Sequence, residues 1–97
     1  MIHLNNHDLA TVKAILKKYI PERTVLAFGS RVKGNHKPFS DLDLCVLGQP
    51  LTLSQTAELK DAFSESDLPI SIDIVDWENI DQDFQEIVKN NSEQLQF

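Results

Sequence analysis

Apolar residues recur along this chain in two rhythms, and the switches between them divide it into helices and strands. Leu9, Val12, Ile15, Leu16 and Tyr19 fall at helical spacing behind Asn5 and Asn6, either of which can cap the helix. Pro21 stops it. The run Thr24-Val25-Leu26-Ala27-Phe28 reads as a buried strand, closed by Gly29-Ser30. Ser30-Arg31-Val32-Lys33-Gly34 predicts one helical turn, and Asn35 to Ser40, with Pro38, a polar loop. A second strand carries Leu42, Leu44, Cys45, Val46 and Leu47 and ends at Gly48-Gln49-Pro50. Thr52 and Gln55 have capping-box spacing for a helix bearing Ala57, Leu59, Ala62 and Phe63. Pro69 introduces a third strand, Ile70 to Val75, with clean alternation. A last helix, from about Asp81 to Asn90, is expected to bury Phe84, Ile87 and Val88.

The order is αβαβαβα, a single α/β domain over residues 1–97 with a small mixed three-stranded sheet and flanking helices. The short link between the first two strands suits an antiparallel pair. The longer, helix-containing link to the third suits a right-handed parallel crossover. Together they bring the end of strand one and the starts of strands two and three to one edge of the sheet. Gly29, Ser30 and the aspartates Asp41 and Asp43 sit at that edge.

Composition narrows the possibilities further. A chain of 97 residues supports one core but not a core plus a substrate-binding lobe. Fifteen acids against nine bases leave a net charge of -6, which disfavours stable nucleic-acid binding. The single cysteine, Cys45, has no disulfide partner and is expected to be a buried thiol. No apolar run approaches membrane-spanning length and no signal peptide is evident, so a cytoplasmic protein is expected.

Ten residues separate Gly29-Ser30 from Asp41-Leu42-Asp43. A flexible turn with a hydroxyl thus faces two carboxylates on a rigid element, an arrangement that can hold a triphosphate and its Mg²⁺ or Mn²⁺ ions. Asp41 and Asp43 share strand parity, so both point to one face. Asp73 interrupts an isoleucine alternation and completes a cluster with them if strands two and three are neighbours. Crowded carboxylates repel, and cations relieve that repulsion. In this reading Asp41 and Asp43 bridge two ions, while Asp73 ligates the catalytic one and can accept the proton of an acceptor hydroxyl. Gly29 lets backbone approach phosphate, and the Ser30 hydroxyl holds it.

Other residues leave alternatives open. Arg31 and Lys33 are candidate phosphate partners, but Arg31 equally suits a structural salt bridge and Lys33 a solvated base. Asp76 is the rival third carboxylate, although its parity suggests that it ends the strand. Trp77 can stack on a base or serve the core or an interface. His3, His7 and His36 lack ligand spacing and read as surface residues.

Phe28-Gly29-Ser30-Arg31-Val32-Lys33-Gly34, Ser40-Asp41-Leu42-Asp43-Leu44 and Ile72-Asp73-Ile74-Val75-Asp76 together resemble the DNA polymerase β-type nucleotidyltransferase superfamily. Within it they resemble the minimal nucleotidyltransferases of prokaryotes. The resemblance covers nearly the whole chain and implies the nucleotidyltransferase fold. It implies transfer of AMP from ATP to an acceptor with release of pyrophosphate. Gly29 and Ser30 then carry the phosphate role, and Asp41, Asp43 and Asp73 the metal roles. Many members pair with a HEPN-domain protein as antitoxin and toxin, and add AMP to that partner. The usual Gly-Ser-Arg-Ala-Arg-Gly stands here as Gly-Ser-Arg-Val-Lys-Gly.

An adenylyltransferase acting on a protein hydroxyl is therefore the first expectation. The alternative is a non-catalytic nucleotide-binding module that silences a HEPN partner by contact. Transfer to a small molecule such as an aminoglycoside is disfavoured, because such enzymes need an added domain to wall the acceptor site. With no residues left for that wall, a HEPN partner or a second copy of the domain is expected to complete it.

Overall fold

The computed structural model describes residues 2–35 and 37–97. Helix α1 (Asn6–Tyr19) begins where the Asn5 side chain accepts the Asp8 N–H at 2.8 Å, and it ends at Ile20, just before Pro21. Strand β1 (Val25–Phe28) runs into a single helical turn, α2 (Ser30–Lys33), which Gly34 terminates in the left-handed conformation at φ 89°. Strand β2 (Leu42–Val46) follows the polar loop. Helix α3 (Leu53–Glu65) opens with a complete capping box: Gln55 N–H donates to the Thr52 hydroxyl, and Thr52 N–H to the Gln55 side-chain Oε1. Strand β3 (Ile72–Asp76) leads through a 3₁₀ turn (Trp77–Asn79) to α4 (Gln82–Asn90), whose first turn is capped by Asp81.

The sheet has four strands, not the three expected. A short strand β4 (Ser92–Gln94) pairs antiparallel with β1, placing Phe28 opposite Ser92 and Leu26 opposite Gln94. The strand order is β3-β2-β1-β4, with β1 and β2 antiparallel and β2 and β3 parallel. β3 begins at Ile72 rather than Ile70, although the Ser71 carbonyl already accepts the Leu42 N–H at 3.1 Å.

Strict alternation gives the two faces of the sheet different partners. Leu42, Leu44 and Val46 join Val25, Ala27, Ile72 and Ile74 beneath Val12 and Leu16 of α1 and Leu59 and Phe63 of α3. On the opposite face Phe28 and Cys45 pack with Val88 of α4, flanked by Val75, Trp77 and Ile80. Fully burying each such Leu or Val stabilises the fold by about 1.5–3 kcal/mol. The second core is much the smaller, and α4 covers it incompletely. Val88 is fully buried, but Phe84 is 38% and Ile87 53% exposed, which corrects the expectation that all three are buried. Among the described residues, no helix is long and apolar enough to cross a membrane.

Candidate active site

At the end of β1 the chain turns sharply at Gly29, with φ 81° and ψ −158°, a region essentially reserved for glycine. The Gly29 carbonyl accepts the N–H groups of Val32 and Lys33, both at 3.1 Å, which closes the turn of α2. Ser30 is its first residue, where backbone amides lack acceptors within the helix. A Cβ on Gly29 would collide with the Asp43 carboxylate, whose Cγ would lie 3.2 Å away. The glycine of this turn and the Asp43 carboxylate are thus in direct contact.

Asp43 lies opposite Phe28 on one side and Asp73 on the other. Neighbouring strands are about 4.8 Å apart, so the Asp43 and Asp73 backbones are as close as a sheet allows. Both aspartates belong to the face opposite α1 and α3, because Leu42, Leu44, Ile72 and Ile74 take the other one. Asp41 is exposed and directly precedes β2. Burial chiefly, then the charges of Asp73 and Asp41, raise the Asp43 pKa above the ordinary carboxylate range. The three acids therefore share one electrostatic neighbourhood.

A search of protein-family profiles matches residues 10–96 to the polymerase β nucleotidyltransferase family. The chain belongs to that family. It is 47% identical over 89 residues to MntA of Haemophilus influenzae, named a probable protein adenylyltransferase, covering 91% of this chain and 78% of that protein. A crystal structure of a toxin–antitoxin with AMP-PNP superimposes with a TM-score of 0.74 at 26% identity, covering 91% of this chain and 72% of that one. A structure described as a minimal nucleotidyltransferase gives 0.71 at 30% identity, covering 94% of this chain and 96% of that one.

Nucleotidyltransferases of this kind generally use divalent metals, and the donor chemistry here fits Mg²⁺ or Mn²⁺. The acids are hard oxygen donors, and among the described residues no basic side chain forms an ion pair with them. They are not drawn together round one point: among the described residues, no group of three His, Cys, Asp or Glu is arranged to hold a metal ion.

Arg31 is not a free phosphate partner in this nucleotidyltransferase. It is 6% exposed, and its guanidinium donates to three backbone carbonyls: Ser40 and His3 at 2.9 Å and Pro38 at 3.0 Å. Among the described residues it forms no salt bridge with the aspartate edge. Arg31 ties the turn after Gly29 to the loop that delivers Asp41. Its partners are main-chain atoms, which a side-chain pattern does not display. Lys33 is exposed.

Asp76 lies in the last position of β3, where its carboxylate accepts the Leu51 N–H at 3.0 Å. It organises the entry to α3, leaving Asp73 as the β3 acid beside Asp43. Trp77 packs against the smaller core, and its carbonyl accepts the Gln85 side chain at 2.9 Å. Cys45 is buried, and desolvation, with a contribution from Asp76, pushes its thiol to about 11. His7 is an exposed partner of Asp67 at 3.1 Å, and His3 is exposed. His36 lies outside the described residues. A cavity of about 380 Å³ opens between α3 and the approach to β3, lined by Lys60, Phe63, Pro69, Ile70 and Ile72. Those apolar residues belong to the helix-covered face or border it, so the cavity does not front the carboxylates.

Proposed function

We propose that this nucleotidyltransferase moves AMP from ATP to a hydroxyl on a partner protein, as the antitoxin of a HEPN toxin. The observation that carries the reading is the junction of Gly29 with Asp43, and of Asp43 with Asp73 on the adjoining strand. The 47% identity to a probable protein adenylyltransferase and the likeness to a toxin–antitoxin bound to AMP-PNP support the acceptor class.

In this reading the turn at Gly29 and the Ser30 hydroxyl receive the outer phosphates. Asp41 and Asp43 hold Mg²⁺ or Mn²⁺, with Asp73 as the third carboxylate. Such ions would neutralise the triphosphate and favour an attacking alkoxide. The acceptor oxygen forms a bond to the α-phosphorus, the bond to the bridging oxygen breaks, and pyrophosphate leaves. Asp73, exposed on the edge strand β3, is the base for the acceptor proton. The raised pKa of Asp43 ties nucleotide binding to pH, because the proton and the metal compete for the same oxygens.

The test is intact-mass analysis of a co-expressed HEPN partner with wild type and Asp41→Ala. Additions of the mass of AMP that require Asp41 support transfer. A tight complex with unmodified partner in both cases would instead favour a binding module that silences by contact.

A further inference from the structure

We propose that the outer face of α4 is the docking surface for the acceptor protein, and that it receives an amphipathic segment with an apolar stripe and basic flanks. The inference rests on the adenylylation reading for what the partner is, but on separate residues for where it binds.

Helix α4 is strongly two-sided, yet its apolar side is wider than the sheet can cover. Val88 is fully buried, while Phe84 and Ile87, four and one residues before it, leave 38% and 53% of their surfaces in solvent. Phe84, Ile87 and Val88 make the ordinary i, i+3, i+4 stripe of a surface helix, but the smaller core covers only Val88 completely. Phe84 is also joined to the site. Its ring meets that of Phe28 edge-on, with centroids 5.6 Å apart and planes at 87°. Phe28 is the cross-strand neighbour of Asp43 and the residue before Gly29. An apolar strip therefore runs from the open side of α4 to the strand end that carries the carboxylates. A macromolecular acceptor must approach the same strand end to bring its hydroxyl to the nucleotide.

Charge decides which occupant fits. From Trp77 to Asn91 the chain carries Glu78, Asp81, Asp83 and Glu86 against Lys89 alone. All four acids are exposed, and Lys89 lies 4.0 Å from Glu86. Asp83 is one turn from Ile87 and so borders the patch. An acid-rimmed apolar strip repels a nucleotide's phosphates and a second copy of this acidic chain, and attracts a basic amphipathic segment. The centre of the patch supplies affinity and its rim the charge selectivity.

The experiment uses the whole chain and the purified HEPN-domain protein, with Ile87→Asp and, separately, the exposed double change Asp83→Lys with Glu86→Lys. Affinity for the partner is read by titration calorimetry at two salt concentrations, and MgATP affinity is read alone. Ile87→Asp is expected to weaken partner binding about tenfold or more, the size of loss typical of a central contact. The charge-reversed variant is expected to weaken it as well and to lose most of its salt dependence. MgATP affinity should stay within about twofold in both, since none of the three positions belongs to the proposed nucleotide site. Unchanged partner affinity in both variants overturns the proposal, as does a wild type that does not bind the partner. So does an equal loss of MgATP binding, which would assign the strip to the nucleotide. Loss of self-association with partner binding intact would assign it to a second copy and equally overturn it. Binding that depends on Ile87 without any AMP transfer leaves the docking surface standing and removes only the catalytic reading.

Discussion

The Asp43 carboxylate lies against the Cα of Gly29, in the space that any side chain at that position would fill. Gly29 is therefore required twice: by its φ of 81° and ψ of −158°, and by the acid beside it. Gly29→Ala is expected to destabilise the domain by about 1–3 kcal/mol through backbone strain alone. The added methyl must also displace Asp43, so Mg²⁺-dependent ATP binding should fall further than stability does. Pairing the change with Asp43→Ala in a double-mutant cycle measures the collision, because the second substitution removes the colliding atoms. A purely additive cycle would mean that the contact has no energetic weight.

Asp43→Asn tests the metal role without disturbing shape. Asp43 holds its proton more tightly folded than unfolded, because burial and the charges of Asp73 and Asp41 oppose its ionisation. Its favourable contribution is complete below the ordinary carboxylate range and is lost as pH rises through the raised folded value. The asparagine variant, neutral throughout, should therefore melt at the same or a higher temperature at pH 7, and the difference should vanish in acid. Mg²⁺-dependent ATP binding should be abolished. Thermal melts across pH, with ATP titrations, check both. Marked destabilisation at pH 7 would show Asp43 to be structural.

Parity and link length made the neighbourhood of Asp43 and Asp73 legible in the sequence. The alternation that set Asp73 apart from the isoleucines, and the helix-containing link before it, placed β3 parallel beside β2, and the register puts Asp73 next to Asp43. β4 was not legible for the opposite reason. Ser92-Glu93-Gln94 has no apolar alternation, and it enters the sheet through backbone pairing with β1 while Leu95 anchors its end in the core. Phe84 and Ile87 misled because helical spacing shows which residues share a stripe, not how wide a surface is available to cover them. Arg31 stayed open between phosphate and a salt bridge because the partners that hold its guanidinium are three backbone carbonyls, which a residue pattern does not display.

Removing Arg31 should loosen the site from a distance. Arg31→Met leaves the carbonyls of His3, Pro38 and Ser40 without their donor, and is expected to cost about 2–4 kcal/mol. Arg31→Lys should recover only part of that, because one ammonium cannot reproduce a planar fork bonded in three directions. Denaturant midpoints measure the loss. ATP affinity should fall in parallel, since the Pro38–Ser40 segment delivers Asp41. A variant that keeps full stability and loses only ATP binding would return Arg31 to the phosphate.

Asp73 offers the sharpest separation between holding the nucleotide and transferring it. It is exposed on edge strand β3, whereas Asp43 is partly buried between Asp73 and Phe28. A base for the acceptor proton must be reachable by an incoming hydroxyl, and the edge position meets that need better than the inner one. Asp73→Asn keeps the size of the side chain and removes its ability to take a proton. Loss of general-base action typically lowers rate by about 10²–10⁴-fold. AMP transfer to the HEPN partner, followed by pyrophosphate release and intact mass, should fall by that order. MgATP affinity should fall far less than in Asp43→Asn, because Asp41 and Asp43 remain. The Asp43 pKa should move back toward the ordinary range as one neighbouring charge is removed, a shift that NMR titration reads without any partner. ATP binding lost as completely as in Asp43→Asn would make Asp73 an essential metal ligand rather than the base. Transfer at the wild-type rate would remove it from the chemistry altogether.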